Sequence, residues 1–111
     1  MPSEIQPAVV LCLSGHDPSG GAGIQADIEA VAAQGCHAAT VITCLTLQDT
    51  RNVLELVPVA TELFKRQVRL IGQDCTIAAI KIGLLGSPAM AHSVLEVLDE
   101  LKGQDSLIPV V

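Results

Sequence analysis

The 111-residue chain has no tryptophan, no tyrosine and a single phenylalanine, Phe64. It carries six lysines and arginines against twelve aspartates and glutamates, for a net charge of −6. With neither a basic patch nor aromatic rings to stack on bases, and with this acidity, the sequence argues against nucleic acid or an anionic membrane surface as a partner. The apolar run Ala8–Leu13 is far shorter than the ~20 residues that span a bilayer, and no basic segment of a secretion signal precedes it. The expected location is the cytoplasm. Cys12, Cys36, Cys44 and Cys75 lack CxxC or CxxH spacing. Without a secretion signal they read as small buried apolar residues, and no spacing favours a metal site built on Cys36-His37.

No lysine precedes Lys65. That absence matters because "GHDPSGGAGIQAD", residues 15–27, places four glycines and a proline between two apolar stretches. Glycine-rich turns between a strand and a helix often cradle phosphates, but the phosphate-loop pattern closes on Gly-Lys-Ser/Thr. Residues 20–25 do not fit the dinucleotide fingerprint either, because Gln25 stands where a third small residue is needed. The loop therefore calls for a different ligand.

Half the residues are apolar, supplied by Val, Ile, Leu and Ala, the composition of buried parallel strands and their covering helices. A chain of this length forms at most one small domain, burying about 65% of its unfolded surface. Strands are expected at Ala8–Ser14, Ala38–Thr46, Val53–Val57 and Ile77–Ile82, with a further one opening at Leu107–Val111. Helices are expected over Gly23–Gln34 and from Thr61 to Ile71, the latter lined by Leu63, Phe64, Leu70 and Ile71. A third begins at Ser87-Pro88 with a capping serine and an N1 proline, and buries Met90, Val94, Val97, Leu98 and Leu101. This alternation implies an α/β fold with a mainly parallel sheet and right-handed helical crossovers.

Open sheets of this class bind ligands at the carboxyl ends of their strands. Three such ends carry Gly15–Gly23, Gln48-Asp49-Thr50 and Gly83–Gly86, so distant segments should meet at one rim. Asp27 falls about 60° from Ile24 on its helix and borders the buried stripe. Its carboxylate could accept a hydrogen bond from a ligand, or, in a first helical turn, complement the helix dipole. Gln48 could read a heterocycle edge with its amide, or be an ordinary turn residue. His16 is a weak candidate for a base, and His37 and His92 have weaker claims still. Lys81, inside a strand, needs a polar neighbour at its tip.

"GHDPSGGAGIQADIEAVAAQG", "TVITCLTLQDT" and "AIKIGLLGS" stand in this order and spacing. From about Val9 onward they resemble the amino-terminal part of hydroxymethylpyrimidine/phosphomethylpyrimidine kinase, a ribokinase-like family of thiamin biosynthesis. The resemblance implies a three-layer ribokinase-like fold, of which residues 1–111 would form the amino-terminal portion. It implies ATP- and Mg²⁺-dependent phosphorylation of 4-amino-5-hydroxymethyl-2-methylpyrimidine and of its monophosphate. It also implies a pyrimidine pocket at Gly15, Asp27, Gln48 and Leu84, and a homo-oligomer, a dimer, for the full-length enzyme.

The family's Gly-Thr-Gly-Cys anion hole is absent from these 111 residues, so no catalytic, cofactor or metal residue is expected here and the chain alone should be inactive. The sequence also departs from the family pattern at three positions: Asp49 replaces the usual Asn, Leu84 the common Met, and His16 a common Thr or Ser. Two alternatives stay open: a non-catalytic or vestigial pyrimidine-binding module, and a pyridoxal-type kinase.

Overall fold

β-Branched and aliphatic runs between glycine and polar breaks form the strands of the computed structural model, which describes residues 6–111. The elements run β1 (Val9–His16), α1 (Gly23–Ala33), β2 (His37–Gln48), β3 (Val53–Pro58), α2 (Thr61–Asp74), β4 (Ile77–Ile82) and α3 (Pro88–Gln104). The sheet order is β3-β2-β1-β4. β1 pairs in parallel with β2 and β4, whereas β3 is antiparallel to β2. The sheet is thus mainly parallel, as expected, with one reversed edge strand.

β2 has two partners along its length. Residues 37–45 pair with β1, while residues 44–48 pair with β3. The β2–β3 ribbon therefore projects past the shared sheet, and every residue of β3 is exposed. Because β3 returns alongside β2, Val59 reaches the level of Thr43, and α2 then carries the chain on to β4.

Alternation of side chains along the strands separates two faces. Leu11, Leu13, Val41 and Ile80 pack against Phe64 and Val68 of α2 and Met90, Val94, Val97 and Leu101 of α3. Cys12 and Lys81, register partners in β1 and β4, turn to the other face, where α1 lies and places Asp27 against Lys81. α3 begins as expected: Ser87 Oγ accepts a 3.1 Å hydrogen bond from the Met90 amide, and Pro88 occupies the first turn.

Several expectations need correction. β1 runs through Gly15 to His16, and Gln48 ends β2 instead of lying in a turn. Leu63 and Leu70 face outward at 51% and 68% exposure, and the buried stripe of α2 is Phe64 and Val68, with Ile71 partly covered. Leu63 and Leu70, seven residues apart, share one side of the helix about 100° away from Phe64, and it is the Phe64 side that meets the sheet. Leu107–Val111 forms only an isolated bridge at Val110, with Ile80 N–Pro109 O and Ile82 N–Val111 O bonds of 2.9 and 2.8 Å. Pro109 has no amide to donate, which shortens the ladder. Cys12 and Cys44 are buried, but Cys36 and Cys75 are only half-buried. Among the described residues no helix is long and apolar enough to cross a membrane.

Candidate functional site

The carboxyl ends of β1, β2 and β4 surround a cavity of about 250 Å³. Gly15 and His16 come from β1, Thr46 and Gln48 from β2, and Lys81 and Leu84 from the end of β4 and the segment after it. Two threonines of β2 tie the rim together. Thr46 Oγ1 donates to the His16 carbonyl at 2.7 Å, and Thr43 Oγ1 donates to the Leu84 carbonyl at 2.6 Å. In the sequence, Thr43 and Thr46 lie simply within the strand expected at Ala38–Thr46.

The loop from Asp17 to Ala22 is organised by Asp17, which is 5% exposed and was not singled out from the sequence. Asp17 Oδ1 accepts from the Ser19 amide and hydroxyl at 2.9 and 2.8 Å, and Oδ2 accepts from the Ala22 amide at 3.0 Å. The Gly20 amide bonds to the Asp17 carbonyl and the Gly21 amide to Ser19 Oγ. Since residue 18 is proline, every amide from 18 to 22 is engaged within the loop. A phosphate cradle needs such amides free and converging, and here an internal carboxylate takes their place. The Ser19 hydroxyl foremost, then the amides, hold the Asp17 carboxyl below the usual carboxylate range. The signal was present in Asp-Pro-Ser, a sequence suited to an Asx turn.

Gly23 requires glycine on two counts. Its φ is +65°, and a Cβ there would collide with the Gly15 carbonyl oxygen. The start of α1 can therefore press directly on the end of β1. Gly15 itself packs over Cys44 and close to Leu84, which is half-exposed at the cavity wall.

Asp27 is the fifth residue of α1, beyond its first turn, which holds no acidic residue. The helix-dipole explanation therefore loses its basis. Instead, Asp27 Oδ1 lies 2.7 Å from Lys81 Nζ, the polar neighbour that Lys81 required. Asp27 is not among the cavity-lining residues; Lys81 is. The second carboxylate oxygen, Oδ2, is buried without a hydrogen-bond partner. Burial foremost and the Asp27 charge next push the neighbouring Cys12 thiol up, against the opposing pull of Lys81.

Gly15, Gln48 and Leu84 thus line one cavity, and Asp27 sits behind it through Lys81. His16 also lines it, while His37 and His92 are exposed elsewhere. Asp49 closes the β2–β3 turn, its Oδ1 accepting from the Arg51 and Asn52 amides at 2.8 Å each. These bonds, led by that from Arg51, hold its carboxyl below the usual range. Among the described residues no three His, Cys, Asp or Glu side chains cluster as a metal site.

Comparison with known proteins agrees with this architecture. The family model for phosphomethylpyrimidine kinase matches residues 17–111. The hydroxymethylpyrimidine/phosphomethylpyrimidine kinase of Streptomyces coelicolor is 36% identical over 94 residues, covering 85% of this chain and 35% of that enzyme. A crystal structure of phosphomethylpyrimidine kinase from Clostridium difficile superposes with a TM-score of 0.81 at 34% identity, over 86% of this chain and 41% of that one. An ADP complex of Bacillus subtilis pyridoxal kinase gives a TM-score of 0.80 at 25% identity, over 87% and 37% of the two chains. The chain thus spans little more than a third of the length of the curated relative. With the family model matching nearly all of its length, the chain belongs to the phosphomethylpyrimidine kinase family.

Proposed function

We propose that this chain supplies the pyrimidine-binding half of an ATP-dependent kinase that phosphorylates 4-amino-5-hydroxymethyl-2-methylpyrimidine and its monophosphate in the cytoplasm, for thiamin biosynthesis. The observation that carries this reading is the convergence of Gly15, Gln48 and Leu84 on one cavity, backed by Asp27. The space suits one small flat ring. Leu84 offers an apolar face, the Gln48 amide can donate and accept along a heterocycle edge, and Gly15 lets backbone approach the ring.

ATP and Mg²⁺ would act from outside these 111 residues. The glycine loop does not fit a nucleotide phosphate, because its amides are already bonded to Asp17 and Ser19. No phosphoryl-transfer step is therefore assigned to it. A dimer of the longer enzyme belongs to the same proposal; the exposed apolar residues of β3, with Leu54 at 73%, favour a covered surface there.

Calorimetric titration of the chain with the hydroxymethylpyrimidine and with pyridoxal tests the reading. The pyrimidine binds more tightly, and Asp27→Ala weakens it by about 10- to 100-fold while the variant stays folded. With ATP and Mg²⁺ added, the 111-residue chain turns nothing over, since positioning and charge stabilisation of the phosphoryl group are not supplied. Tighter pyridoxal binding would favour a pyridoxal-type kinase, an activity that the name of the Bacillus subtilis relative carries. Turnover within about tenfold of a full-length relative would overturn the division of labour.

A further inference from the structure

We propose that Lys81 is the residue that touches the heterocycle, donating a hydrogen bond from its ammonium to a ring nitrogen, and that Asp27 acts through it as a positioning residue. This rests on the proposed heterocycle site. The geometry separates the two side chains. Lys81 lines the cavity with 38% of its side chain exposed, whereas Asp27 does not line it and is 11% exposed. The Asp27 Oδ2 atom is buried, and Oδ1 is engaged by the 2.7 Å pair with Lys81.

An ammonium has three donors, and Asp27 Oδ1 takes one. The surroundings fix the rest of the chain of contacts. Cys12 is the register partner of Lys81 on β1, and Gly83 leaves space where a Cβ would strike Ser14 Oγ and lie 3.0 Å from Lys81 Nζ. The ammonium is thus flanked by Asp27 and the Gly83 backbone, and Lys81 is the member of the pair that lines the cavity. A heteroaromatic ring nitrogen is an acceptor only, which matches a site that can only donate. The exocyclic amine is left to Gln48, whose carbonyl oxygen can accept from it.

The test is a cycle of binding measurements on the 111-residue chain, using the hydroxymethylpyrimidine and its carbocyclic analogue, in which both ring nitrogens are C–H. The variants are Lys81→Met, Asp27→Asn and the two combined. Lys81→Met is expected to weaken the pyrimidine by about 10- to 100-fold, and to leave the analogue unchanged within about twofold. Asp27→Asn adds nothing further in the Lys81→Met background, since residues acting as one unit are not additive. The combined variant leaves no unpaired buried charge, so it should fold even where Lys81→Met does not. It must still lose the pyrimidine-over-analogue preference. Three results would overturn the proposal: wild-type affinity in Lys81→Met, an added tenfold loss from Asp27→Asn in that background, or a preference kept by the combined variant. If the unaltered chain binds neither pyrimidine nor pyridoxal, the heterocycle reading itself falls, and this proposal with it.

Discussion

Asp17 and the Asp27–Lys81 pair do different work with similar chemistry. The carboxylate of Asp17 is spent on its own loop, and the ionised form is the one that the Ser19 hydroxyl and the Ser19 and Ala22 amides stabilise. Its native pKa lies below the ordinary value of about 3.9, so this support is fully present above about pH 4. It declines as the pH falls through the lowered native value. The Ser19 and Ala22 amide proton shifts should stay constant from about pH 7 to 5 and move only in that acid window. Asp17→Ala should move both shifts at neutral pH and weaken pyrimidine binding by about tenfold or more. Unmoved amides in Asp17→Ala would remove Asp17 from its organising role. At this scale the sequence was only partly legible. Converging strand ends brought together the segments that hold Gly15, Gln48 and Leu84, and the family resemblance singled out those residues within them, whereas Asp17 was hidden among the residues of a flexible-looking turn. Lys81 was left without a partner because an ion pair between α1 and β4 spans 54 positions, from 27 to 81, and no local period reports it.

The elements were easier to read than their ends. β4 matches its expected span, Ile77–Ile82, and the α3 start is fixed by Ser87 and Pro88. Both rest on local signals: an aliphatic run closed by Gly83 in one case, a capping hydroxyl in the other. Ser87→Ala should lower stability by about 1 kcal/mol, with a thermal midpoint lower by several degrees and the fold kept. No change in midpoint would mean that the Met90 amide finds another partner. The helix α2 was misjudged because four apolar residues were assigned to one side. The angular period puts Phe64 and Val68 inward and turns Leu63 and Leu70 out, and only tertiary packing discloses which of the two sides meets the sheet. The reversal of β3 depended on a four-residue turn, Asp49–Asn52, whose side-chain-to-amide bonds made a direct return possible.

Across the whole molecule, three strand ends and a self-bonded glycine loop build one cavity whose lining includes Lys81 and the apolar Leu84. A second depression lies among Gly72–Ile77 and residues 101–108, near the start of β4, and lacks this combination of ring-sized apolar wall and paired ammonium. The central claim is that the rim cavity takes the pyrimidine. It is tested most directly by adding the hydroxymethylpyrimidine to the isotope-labelled 111-residue chain and following every backbone amide by NMR. The account predicts saturable shifts concentrated at Gly15, His16, Gln48, Gly83 and Leu84, with the Gly72–Ile77 amides still. Saturable shifts at Gly72–Ile77 with the rim unmoved, or no shifts at millimolar ligand, would contradict it.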